Sequence, residues 1–125
     1  MKTPWKWLGT LDPEQEYLVL ASAIPAKSRR STWRMFNGSR VVRKQLSGTD
    51  GVIGFSMLAR PISKDYATLS VWRDEAALTA FAGADPHRGF MGALAPEMGP
   101  TKFVRWGIKG SDGKPSWDDA LTRLR

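Results

Sequence analysis

The period of the apolar positions switches repeatedly along this chain, and each switch predicts an element. Residues 16–24 (EYLVLASAI) are almost continuously apolar and stop at Pro25. So short a run reads as a strand buried on both faces. Proline ends it, because it has no N–H to give and restricts the residue before it. From 26 to 46 alternation disappears. Thr32, Met35, Ser39, Val42 and Leu46 recur at spacings of three and four, which marks one face of a helix. Arg29, Trp33, Phe36 and Arg40 form a stripe beside that face, and Lys27, Arg30 and Arg34 lie on the far side. Asn37-Gly38 is a breaker, so a kink or restart is expected there. Residues 52–60 (VIGFSMLAR) read as a second strand, in which Gly54 predicts a bulge or a close approach of backbone. Residues 66–73 are a third, with Thr68, Ser70 and Trp72 on one side and Leu69, Val71 and Arg73 on the other.

Asp74 stands where a helix N-cap belongs, with Glu75 in the first turn. Ala76, Ala77, Leu78 and Ala80 favour a helix whose apolar side is Leu78 and Phe81, and Gly83 stops it. Asp85-Pro86 opens another, with Asp85 as cap and Pro86 at the first helical position. There His87, Phe90, Met91 and Leu94 fall at i, i+3, i+4 and i+7 and share a face. Residues 101–109 alternate as a fourth strand. Residues 116–124 make a short helix, capped by Ser116, with Asp118 and Asp119 in its first turn and Arg123 in its last.

The order βαββαβ with a tail helix is the ferredoxin-like pattern of the α+β class: a four-stranded antiparallel sheet with helices on one face. The strands are apolar on both sides, so the second face needs a cover. The expected cover is a second copy of the sheet, giving a homodimer through the sheet face. Three segments follow: an arm at 1–15, a domain at 16–109, and a linker with a short helix at 110–125. The arm has no helical or strand period, yet it holds Trp5 and Trp7. Two tryptophans argue that it packs on the parent domain or on a partner.

A length of 125 residues bounds the chain to one domain with a core of its own. It has no cysteine, hence no disulfide, no thiolate nucleophile and no Cys-based metal site. No signal-type segment opens it, and its longest apolar run, 17–24, is too short to span a bilayer. A cytoplasmic protein with no membrane partner is expected. A net charge of +7 admits anionic partners. Nucleic acid is not the expected one, because no aromatic-rich RNA-binding strand and no helix-turn-helix signature is present.

The stretch DEAALTAFAGADPHRGFM, after a strand ending in Trp72, resembles the antibiotic-biosynthesis-monooxygenase superfamily of dimeric α+β barrels. The resemblance runs over residues 16–109. It implies a pocket between sheet and helices, with Trp72 as the family's strand-end tryptophan and His87 as its helix histidine. It also implies either cofactor-independent oxygenation of aromatic polyketides and quinols or, in another branch, haem degradation. The haem-degrading branch uses an Asn on the first strand, where EYLVLASAI has none and offers only Ser22 as a donor.

A cofactor-free oxygenase removes a proton from an electron-rich substrate, whose anion then reduces oxygen. It needs a base, a dry aromatic pocket and donors for the oxyanion. His87, the one histidine, is the candidate base. Trp72, Ser70 and Arg73 are candidate donors. Trp33, Phe36, Phe90 and Met91 are candidate walls, with Arg40 and Arg29 as cations at the mouth. The expected partner is a hydrophobic small molecule, with no cofactor and no metal. The alternative is a non-catalytic binding protein for a hydrophobic anion such as haem. In that case Arg29, Arg40 or Arg88 would meet carboxylates and His87 would be the ligand.

Overall fold

Antiparallel ladders join five strands in the order β1-β3-β4-β2-β5. The elements are β1 (Lys6–Trp7), β2 (Glu16–Pro25), α1 (Arg29–Ser47), β3 (Val52–Arg60), β4 (Asp65–Trp72), α2 (Glu75–Ala82), α3 (His87–Leu94), β5 (Lys102–Lys109) and α4 (Trp117–Arg123). The computed structural model describes residues 2–60, 63–85 and 87–125, and the side chains of Phe36, Phe90 and Glu97 fall outside that description. The expected start of α3 at Pro86 lies outside the described residues too. Asp85 takes the N–H of Gly89 on its carboxylate at 3.2 Å, four residues on rather than the two or three a side-chain cap reaches, and the Arg88 N–H goes to the Ala84 carbonyl at 3.0 Å.

The expected capping chemistry is in place. Asp74 accepts the N–H of Ala77 at 2.8 Å, and Ser116 accepts that of Asp119 at 3.1 Å. Thr32, Met35, Ser39, Val42 and Leu46 are the buried face of α1. That helix does not break at Asn37-Gly38: it runs unbroken through both residues. A glycine inside a helix costs about 1 kcal/mol relative to alanine. The buried residues Met35, Ser39 and Val42, on either side of the pair, hold the turn and outweigh that cost.

The sheet has one strand more than the four expected. Lys6 and Trp7 pair with Phe55 and Gly54 of β3, so part of the arm is an edge strand. The ladder between β3 and β4 slips one residue between Val52 and Gly54. The carbonyl of the extra residue, Ile53, accepts the N–H groups of Leu8 at 2.8 Å and Gly9 at 3.1 Å. Gly54 is also a close approach, since a Cβ there would stand 2.7 Å from Nε1 of Trp5. The bulge and the missing side chain together seat the arm on β3.

The second face of the sheet is where expectation and structure part. α1, α2 and α3 cover one face, over Ile24, Phe55, Met57, Tyr66 and Trp72. The other face carries Tyr17, Val19, Ala21, Leu69 and Val71, and the chain covers it itself. Ala120 of α4 and Leu124 just past its end are buried there, with Trp5, Leu11, Trp117 and Leu121 packed around them. Not all helices therefore lie on one face, and a second copy is not the cover of this one. Polar contacts fix the internal cover in place. Trp117 donates its indole N–H to the Ser56 hydroxyl at 3.1 Å, and Ser56 donates to the carbonyl of Thr3 at 2.7 Å. The Asp12 N–H bonds the Tyr17 hydroxyl at 2.8 Å, and Arg123 stacks over Trp106 at 4.3 Å. Gly110 lies so close to the Asp12 carbonyl that no side chain fits between them. Arm and tail thus brace one another across the sheet.

Candidate functional site

Between the helix layer and the sheet lies a cavity of about 390 Å³. Strand parity builds its floor. Leu20, Ser22 and Ile24 of β2, Phe55 and Met57 of β3, and Tyr66, Thr68, Ser70 and Trp72 of β4 all turn toward the helices. Met35, Ser39, Val42 and Leu46 of α1 form its roof, and Leu78 and Phe81 of α2 and Met91 and Leu94 of α3 complete it. Met98, Phe103 and Arg105 border it on the side of β5. Phe103, on that side, stays 61% exposed. Met35, Met57, Met91 and Met98 all reach this one space. Flexible thioethers make walls that adapt to the shape of an apolar guest.

The polar groups of the floor are few and paired. Ser22 and Thr68 hydroxyls bond one another across β2 and β4. Trp72, only 1% exposed, donates its indole N–H to the Ser70 hydroxyl at 2.8 Å. The indole is therefore not a free donor. Ser70 becomes one instead, because a hydroxyl that accepts an N–H keeps its own proton to give, and the bond it accepts strengthens the one it donates. The Tyr66 hydroxyl donates to Sδ of Met57 at 3.0 Å. Burial pushes this phenol up to about 12 from its ordinary 10.0, against smaller downward pulls from a Ser39 hydrogen bond and the Arg43 charge. Tyr66 thus stays neutral and holds the floor together.

This shift has a measurable consequence. Between pH 10 and about 12 the folded chain keeps a proton that the unfolded chain releases, so stability falls as pH rises through that window. The loss should reach roughly 3 kcal/mol for a shift of this size. Tyr66→Phe should move the alkaline unfolding midpoint upward while lowering stability at neutral pH, as ellipticity against pH would show.

His87 lies at the edge of the cavity, partly exposed, and its placement is specific. Its backbone N–H is taken by the Gln45 side-chain carbonyl of α1 at 2.9 Å. Its Nδ1 is 3.2 Å from the carbonyl oxygen of Ala82. A carbonyl only accepts, so Nδ1 carries the proton and Nε2 is the basic nitrogen of the neutral ring. The imidazole packs on Phe81 at 4.9 Å between centroids, and Phe81 on Trp72 at 5.3 Å. A run of rings thus leads from the imidazole to the bonded indole.

Of the residues expected at the site, His87, Trp72 and Met91 line the cavity together, as does Ser70. Trp33 and Arg40 do not: both stand exposed on the outer side of α1. Arg73 is also outside, paired with Asp50 at 3.2 Å and Asp74 at 3.5 Å. The hydrogen bond to Asp50, with the charges of both carboxylates, raises its pKa further and keeps it engaged at the surface. Phe36 and Phe90 fall among the side chains not described. Sequence reading missed Tyr66, Phe55, Met57 and the Ser22–Thr68 pair. Their signal was the alternation itself: Tyr66 and Thr68 share the parity of Trp72 and Ser22 that of its partner Leu18, whereas Phe55 and Met57 stand opposite Ser70 and Thr68 only because the bulge shifts β3 by one residue. Among the described residues no group of three His, Cys, Asp or Glu side chains could hold a metal ion, and no helix is long and apolar enough to cross a membrane.

No protein-family model and no curated protein matches the sequence. Solved structures do match its fold. A proposed antibiotic biosynthesis monooxygenase from Nitrosomonas europaea superposes with a TM-score of 0.65 at 17% identity, over 73% of this chain and 97% of its own. SnoaB, a cofactor-independent oxygenase from Streptomyces nogalater, gives a TM-score of 0.55 at 12% identity over 74% of this chain and 91% of its own. A further proposed antibiotic biosynthesis monooxygenase, from Deinococcus radiodurans, gives 0.63 at 10% over 71% and 89%. The chain therefore has the α+β fold of the antibiotic-biosynthesis-monooxygenase-like proteins.

Proposed function

We propose that this chain is a cofactor-independent, monooxygenase-like enzyme acting on a hydrophobic aromatic small molecule held between sheet and helices. The observation that carries the reading is the tautomer of His87: the Ala82 carbonyl fixes the proton on Nδ1, and the base stands beside an apolar cavity with a hydroxyl donor in its floor. The fold shared with SnoaB, an oxygenase without cofactor, agrees with it.

The chemistry suits a substrate with an acidic C–H, such as a methylene flanked by aromatic rings and activated by a carbonyl. Nε2 of His87 takes the proton, and Ser70 donates to the oxygen that becomes negative. The carbanion passes electrons to O2, and a C–O bond forms to give a peroxide that regains the proton from the imidazolium. The O–O bond then breaks. One oxygen leaves as water with the remaining C–H proton, and the other stays as a carbonyl. The electrons come from the substrate, so the balance needs no other reductant.

The test is oxygen uptake by the whole chain on a panel of anthrones and polycyclic phenols, with oxygen-18 gas as label. One labelled atom in the product is expected. A product without label, or no uptake on any panel member that binds, would leave the cavity as a binding site only. Haemin supplies the comparison for that case: a Soret shift lost in His87→Ala would favour the haem-binding alternative.

A further inference from the structure

Two of the residues displaced from the cavity, Trp33 and Arg40, share one surface of α1. α1 turns by about 100° per residue, which puts Arg29, Arg30, Arg34, Arg40 and Lys44 within about 140° of its outward arc. All five are exposed. Trp33 and Val41 stand among them, 43% and 54% exposed. The sequence has no Asp or Glu between Glu16 and Asp50, so the helix carries no acid of its own. At about 1.5 Å per residue the stripe extends for some 20 Å and more from Arg29 to Lys44.

We infer that this face of α1 docks the protein flat on an anionic phospholipid surface. Charge complementarity is the first argument: five aligned cations suit a negatively charged leaflet. The two apolar side chains are the second. An exposed tryptophan among cations is the composition of a helix that lies in the bilayer interface, where an indole sits at headgroup depth. Packing is the third. α1 lies in a layer, against α3 at its flank and β3 and β4 beneath, so only its outer side is free. A helix so embedded can lay its whole outer stripe on a plane. The short apolar run argues against a helix that spans a bilayer, and lying on one is a different physical act.

The test is co-sedimentation of the whole chain with vesicles of phosphatidylcholine alone and of phosphatidylcholine with phosphatidylserine. Binding should require phosphatidylserine and should fade with salt. Each cation near such a surface is worth about a fivefold change in partitioning. Arg30→Glu with Lys44→Glu should therefore weaken binding by about 30-fold or more. Lys102→Glu with Lys114→Glu changes the net charge equally but away from α1, and should weaken it far less. Trp33→Phe should abolish most of the blue shift in tryptophan emission on vesicle addition. The proposal is overturned if phosphatidylserine makes no difference, or if the two double variants lose binding equally. It is also overturned if a duplex or single-stranded oligonucleotide strips the protein from vesicles at lower phosphate concentration. None of these readings depends on whether the cavity is an active site.

Discussion

His87→Ala is expected to lower turnover by about 10²–10⁴-fold, the usual worth of a positioned general base. The change should fall on kcat and spare KM. Phe81, Trp72 and the thioethers that would hold an apolar substrate stay in place, and the imidazole contributes only an edge of the cavity. Folding should also survive. The hydrogen bond that joins α3 to α1 comes from the backbone N–H of residue 87, not from its ring, so Gln45 keeps its partner. His87→Gln refines the experiment. Its side-chain amide can still donate to the Ala82 carbonyl, which preserves the contact while removing the basic nitrogen. If both variants are inactive, basicity is what matters. Turnover of His87→Ala within a few-fold of the parent chain would remove His87 from the mechanism. The base would then have to be sought elsewhere, and Tyr66, kept neutral by burial, is a poor substitute.

His87, Trp72 and Met91 could be placed at one site from sequence because each lies on an element with a clear period. Alternation in 66–73 settles which side Trp72 takes, and a spacing of three and four settles the face of α3. The floor of the cavity was legible by the same rule in β4 and, through its unshifted ladder, in β2; in β3 the bulge at Ile53 inverts the parity, and only Gly54 hinted at it. Trp33 and Arg40 show where the rule stops. A stripe beside a helix's apolar face can turn inward or outward with a small rotation of the axis, and only packing against α3 and the sheet decides that rotation. β1 was not legible at all. Two residues held by backbone pairing to a bulged strand leave no pattern of their own. Nor could the short helix α4 announce its place. Its caps were readable in Ser116, Asp118 and Asp119, but caps say where a helix starts and nothing about the layer it joins.

That layer leads to the second large effect. Removing residues 113–125 should turn a chain that sediments as a monomer into one that associates. Ala120 of α4 and Leu124 at its C-terminal cap are buried against the sheet, and Trp117 and Leu121 in part. At about 25 cal/mol per Å² of apolar area, side chains of this size together contribute roughly 5 kcal/mol before the cost of ordering the helix. Small domains are stable by only about 5–15 kcal/mol, so the truncated chain cannot leave Tyr17, Val19, Ala21, Leu69 and Val71 bare. The available remedy is the one that bare two-sided sheets adopt, a second sheet laid face to face about 10 Å away. Leu124→Glu offers a gentler route to the same end. It places a charge in the apolar cluster on the second face of the sheet while leaving the arm, with Trp5 and Leu11, still attached. Sedimentation velocity of parent, truncation and Leu124→Glu would decide the matter, with the parent expected at one chain and both variants larger or unfolded. A parent chain already dimeric, and unchanged in size by either variant, would mean that a surface other than this face pairs two copies, and that α4 is not what keeps the sheet to itself.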